Sequence, residues 1–164
     1  MSVNNCGNCK MCCKFMAVAD APVFKDDGEW CQFCDTKTGC TIYETRPQTC
    51  RNYECLWLLS QHQPDGPAFP LEMRPDKCKV MFAPTTNPMI MMAHVQPHQK
   101  EALKAPLVLA TIGMMLKAGM HVCVTDGPAL TKLVFNMDDN GLIVSRLRHF
   151  TPPDENGIQW HIPI

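Results

Sequence analysis

Charge is scarce in this chain. Lys, Arg, Asp and Glu make up 19% of its 164 residues, the 15 cations nearly cancel the 16 anions, and the net charge is −1. With no basic stripe to neutralise a phosphate backbone and no polybasic segment to meet an anionic bilayer, neither nucleic acid nor membrane is expected as a partner. Long apolar runs are missing too. The most apolar stretch, 105–116, contains Pro106, Thr111 and Gly113 and falls well short of the roughly 20 apolar residues that span a bilayer. It reads as a buried core helix, with Lys117 and Gly119 as its stop. No Gly-rich cofactor fingerprint follows a strand, and His94 and His98 bracket a strand end, so a helical two-histidine zinc site is not expected. The opening Met-Ser-Val-Asn-Asn-Cys has no positive segment followed by an apolar one. A cytoplasmic location is therefore expected.

What the chain has in abundance is cysteine. There are eleven, nine of them between Cys6 and Cys55, in the order Cys6, Cys9, Cys12, Cys13, Cys31, Cys34, Cys40, Cys50 and Cys55. In a reducing compartment such a density, with an odd total, points to metal binding or catalysis rather than to a disulfide framework. A Cys-x-x-Cys pair lets two thiolates converge on one ion at about 2.3 Å, and a closed site needs four such ligands. Were the first run helical, Cys6, Cys9 and Cys13 would share a stripe about 60° wide and Cys12 would stand off it. Adjacent side chains diverge by roughly 100°, so Cys12 and Cys13 are expected to serve different metals or different atoms of a cluster. Cys50 and Cys55 lie about 140° apart on an ideal helix, so one of them should pair with a distant cysteine.

Composition divides the chain into a cysteine-rich module over 1–62, a connector over 63–76 with prolines at 64, 67, 70 and 75, and an α+β half over 77–164, packed as one compact domain. The first part has too few regularly spaced apolar residues for a core of its own, so its thiols should hold it together. Pro47 reads as the first turn of a helix running from Gln48 to about Ser60. Beyond the connector, strands are expected at 79–83 and 89–95, a long or broken helix at about 99–118, and strands at 120–125, 130–136 and 142–147, the last two flanking an Asn140-Gly141 hairpin signal. The fold class is thus α+β: an irregular, metal-stabilised module with a short helix, followed by an antiparallel sheet packed with that helix. From Thr151 onward a proline-containing tail is expected. Cys123 and the methionines, among them Met89, Met91, Met92, Met114 and Met115, read as core, and Cys78 as a less buried version of the same.

The run Cys6-x-x-Cys9-x-x-Cys12-Cys13, followed by Cys31 and by Gly39-Cys40-Thr-Ile-Tyr43-Glu44-Thr-Arg46-Pro47-Gln-Thr-Cys50-Arg51 and Cys55, resembles the CxxCxxCC cysteine-cluster family, described as a zinc- or iron-chelating domain. The resemblance covers residues 6 to 55. It implies a ligand set of Cys6, Cys9, Cys12, Cys13, Cys31, Cys40, Cys50 and Cys55, enough for two four-cysteine sites or for one cluster with thiols to spare. Cys34 departs from the family pattern and is either an extra ligand or a small buried hydrophobe. Arg46 and Arg51, interleaved with the ligands, are candidates to donate to thiolates or to a carboxylate such as Glu44. Tyr43 and Pro47 read as packing and helix-start residues. The expected partner is a metal ion, either zinc or iron, the latter including an iron-sulfur cluster with a redox role. Two alternatives stand beside simple metal binding: an enzyme that uses the centre, methylase-like or an oxidoreductase, and a zinc-stabilised interaction module presenting an apolar patch around Leu56, Trp57 and Phe69.

Overall fold

The computed structural model describes residues 6, 8–125, 133–138, 141–146, 149–150 and 161–162. The chain is α+β. The opening cysteine run is not a continuous helix: Cys9 N–H closes a turn on the Cys6 carbonyl at 3.1 Å, and only Met11–Phe15 (α1) is helical, burying Met11 and Phe15. Two small antiparallel hairpins follow, β1 (Val18–Asp20) with β2 (Val23–Lys25), and β3 (Cys34–Asp35) with β4 (Gly39–Cys40).

The helix expected over 48–60 is broken into α2 (Gln48–Asn52) and α3 (Leu56–His62). Between them Tyr53 (φ −80°, ψ 128°) and Cys55 (φ −74°, ψ 164°) are extended. Burial explains the break. It turns Tyr53, Cys55 and Leu58 toward one apolar cluster, where the Tyr53 hydroxyl meets the Met81 sulfur at 3.7 Å.

In the connector, 63–70 carries neither helix nor strand, but a 3-10 turn at Leu71–Met73 and a short helix α4 (Pro75–Cys78) follow, so the expected boundary at 76/77 falls inside a helix. The connector is strapped to α3 by bonds from the Phe69 N–H to Ser60 Oγ and from Trp57 Nε1 to the Pro70 carbonyl, both 3.0 Å.

The main sheet has five strands in sequence order: β5 (Val80–Pro84), β6 (Ile90–Val95), β7 (His121–Thr125), β8 (Leu133–Asp138) and β9 (Gly141–Arg146). It is mixed, not wholly antiparallel as expected, because β6 and β7 run parallel. Parallel neighbours need a crossover of a dozen residues or more, and the 96–120 connection supplies one through a 3-10 stretch (Pro97–Lys104) and α5 (Pro106–Lys117). The helix expected at 99–118 is thus interrupted at Ala105, which is extended, as the residue before a proline tends to be. The β8/β9 register closes at Asp138↔Gly141, and the hairpin signal at Asn140 lies outside the described residues. Part of the expected tail is strand, since β11 (His161–Ile162) pairs with β10 (His149–Phe150).

Strand alternation gives the sheet two unlike faces. Val80, Phe82, Met91, Ala93, Val95, Val122 and Val124 point to one face, where Val108, Ile112 and Met115 of α5 cover them. Each fully buried aliphatic side chain there contributes about 1.5–3 kcal/mol of transfer free energy. Met81 and Ala83 point to the other face and meet Met11, Phe15, Cys55 and Leu58. The cysteine-bearing segment therefore rests directly on the sheet, on the side opposite α5. Cys123, Met91 and Met115 are buried as expected, whereas Met89, just before β6, and Met114, on the outer side of α5, are exposed; Cys78 is half-buried with its thiol directed at the Val80 carbonyl (3.1 Å). Among the described residues no helix is long and apolar enough to cross a membrane.

Candidate metal centre

Cys6, Cys9, Cys12, Cys13, Cys31, Cys40 and Cys50 line one cavity of about 640 Å³. All eight thiols that the family resemblance implies lie in or beside it, and they fall into two sets.

Cys55, Cys6, Cys9 and Cys12 form the inner set. Cys55 is part of the apolar cluster under the sheet, and the other three pack against that cluster. Their charges also see one another: Cys55 acts on Cys6 and Cys9, and Cys6 and Cys9 act on Cys12. Burial pushes the Cys6 and Cys9 thiols up to about 11 and also raises Cys55. Cys12 is raised by its hydrogen bond to Cys13 and then by burial.

Cys13, Cys31, Cys40 and Cys50 form the outer set, away from the apolar cluster. Cys13 and Cys31 both act on Cys40 and on Cys50, and Cys40 acts on Cys50. Burial raises Cys40 and Cys50, whereas the hydrogen bond from Cys12 lowers Cys13. Cys13 is the point of contact between the sets. Cys50 falls in the outer set and Cys55 in the inner one, on either side of the break between α2 and α3, consistent with the separation of about 140° that helix geometry gives them.

The backbone fixes these positions. The Cys31 N–H donates to the Cys13 carbonyl at 2.9 Å. Asp20 accepts from the N–H and hydroxyl of Thr49 at 3.0 and 3.1 Å, which ties the start of α2 to β1. Arg51 donates to the carbonyls of Arg46 and Glu44 at 2.9 and 2.6 Å, which braces the main chain leading into α2. Arg46 stacks over the Tyr43 ring at 3.9 Å. From there its charge lowers Cys6 and Cys13 and also Cys40 and Cys50, so it serves both sets. Cys34 hydrogen-bonds Cys13 and is pushed up to about 12 by burial and by that neighbour.

Lys25 carried no motif in the sequence, yet it lines the same cavity. Its ammonium donates to the carbonyls of Lys14 (3.2 Å) and Met16, and its charge lowers Cys13. Only the fold places it there, through the β1–β2 hairpin.

The donor chemistry fits a thiophilic ion or an iron-sulfur centre. Both sets are all-sulfur, their protons would be displaced on binding, and Lys10, Lys25 and Arg46 line the cavity to offset the charge of thiolates. Among the described residues no three His, Cys, Asp or Glu side chains already converge as a group that could hold an ion, so closing either set requires its thiols to turn toward a common centre. Leu56, Trp57 and Phe69, where an apolar patch was expected, are half-buried and pack against the sheet core. No protein-family model, curated protein or solved structure matches this chain.

Proposed function

We propose that the chain is a metal-binding protein with two four-thiolate centres, an inner one on Cys6, Cys9, Cys12 and Cys55 and an outer one on Cys13, Cys31, Cys40 and Cys50, each taking zinc or iron, the iron either alone or as an iron-sulfur centre. The observation that carries this reading is that apolar packing separates Cys6, Cys9, Cys12 and Cys55 from the other four thiols, while charge proximity groups Cys13, Cys31, Cys40 and Cys50 and joins them to the inner set through Cys13. Zinc there would be structural, stabilising the module by an apparent 10 to 16 kcal/mol or so on the zinc-finger scale. Iron-sulfur ligation would add electron transfer. The cavity supports a second reading, an enzyme that uses the outer centre, since about 640 Å³ lies within the roughly 300–1,000 Å³ of small-molecule sites.

Anaerobic purification followed by elemental analysis and a visible spectrum tests the proposal. Two equivalents of zinc in a colourless sample, or iron with sulfide in a brown one, would support it and choose between the metals. A folded protein that stays metal-free after reconstitution with either would overturn it.

A further inference from the structure

Cys34 belongs to neither set, yet it faces a member of the outer one. In the β3–β4 hairpin its Cα partner is Cys40. The Thr41 N–H donates to the Phe33 carbonyl at 2.8 Å, one residue outward on each strand, which makes Cys34↔Cys40 a non-hydrogen-bonded pair. Such pairs bring Cα atoms to about 4.5 Å with side chains on the same face, inside the range of about 4.4–6.8 Å that a disulfide spans. The hairpin is held in register by its turn, where Asp35 accepts from the N–H groups of Lys37 (2.8 Å) and Thr38 (2.6 Å), and by Gly39, whose φ of +95° a side chain would strain.

We propose that Cys34 and Cys40 are a redox-modification site, a thiol pair that hydrogen peroxide converts to a cross-strand disulfide. One thiol attacks the peroxide O–O bond, releasing water and leaving a sulfenic acid, and the second displaces that hydroxyl as a second water. The two sulfurs lose two electrons, the peroxide gains them, and a sulfur–sulfur bond replaces two S–H bonds. This step needs no metal. Combined with the two-centre reading, on which this consequence rests, it withdraws Cys40 from the outer centre and releases that ion while the inner one stays bound.

The experiment treats the reduced full-length chain, metal-free and zinc-loaded, with hydrogen peroxide. Linkages are mapped by tryptic digestion and mass spectrometry, and freed zinc is read with a colorimetric chelator. Cleavage after Lys37 would leave the disulfide as two joined fragments, and fragmentation separates Cys34 from Cys31. The expected result is a Cys34–Cys40 link in both samples, loss of one of the two zinc ions, and retention of both ions in Cys34→Ser under the same treatment. Absence of that link in the metal-free chain, or a link joining Cys40 to another cysteine while Cys34 stays free, overturns the proposal whatever the zinc content. Zinc loss from Cys34→Ser equal to wild type overturns the release step. A chain that binds no zinc but forms the link sinks the two-centre reading and leaves the modification site standing.

Discussion

The ring of Phe15 lies on the imidazole of His94, with centroids 5.6 Å apart and planes inclined by 27°. Phe15 ends the helix that carries Cys12 and Cys13, and His94 sits in β6, so this stack fastens the thiols to the sheet. His94 is 9% exposed, and burial holds its pKa down to about 4, against a weaker upward pull from Asp27.

A buried neutral histidine makes stability depend on acidity. The folded state resists a proton that the unfolded chain accepts below about 6.5, so the contribution of His94 is full above that pH and is lost as pH falls toward 4. The shift corresponds to about 3 kcal/mol. Urea unfolding of the metal-free chain at pH 7 and pH 4.5 should show a larger loss for wild type than for His94→Leu, and equal losses would disprove the role.

Phe15→Ala should destabilise the protein by about 3–5 kcal/mol, since the side chain is 2% exposed among Met11, Leu58 and Met81. Leu107→Ala, on the exposed side of α5, should stay within about 0.5 kcal/mol of wild type. Chemical denaturation of both variants checks the contrast.

Cys9→Ala and Cys50→Ala should each lose one metal equivalent, but from different centres. The Cys9 variant should also lose thermal stability in the part of the chain packed under the sheet, because its set adjoins the apolar cluster there. Elemental analysis and hydrogen exchange of the β5 and β6 amides distinguish the two. Loss of both metals from either variant would instead indicate a single cluster.

Lys79 closes α4 at φ 64°, a conformation that disfavours any side chain with a Cβ. Lys79→Gly should raise the unfolding free energy by about 0.5–1 kcal/mol, net of the greater freedom of glycine in the unfolded chain. A thermal melt shows the sign.

The strands at 80–84 and 90–95 were legible because their apolar residues are dense and β-branched or long, and the interruption at Ala105 was written in Pro106. The cysteines marked the candidate site without help from the fold, and seven of them line one cavity. Their division was only half legible. Adjacent Cys12 and Cys13 implied two environments and the spacing of Cys50 and Cys55 implied different partners for them, but which thiols each would join depended on the fold, including the break at Tyr53–Cys55, which no proline or glycine marks. The parallel pairing of β6 with β7 was missed because strand pattern reports faces and not direction. Lys25 and His94 were missed because only the sheet and its hairpins bring them to the thiols.

The side of the sheet that receives the thiols is made late. Met11, Phe15, Cys55 and Leu58 leave the ribosome before Met81, Ala83 and His94, the residues they rest on, and chains emerge at only about 5–20 residues per second. For several seconds the nascent chain carries its cysteines with no floor beneath them. On the two-centre proposal, an ion captured in that interval would meet an outer set already synthesised in full and an inner set still without β5 and β6 to pack on, so the order of synthesis would also be an order of loading.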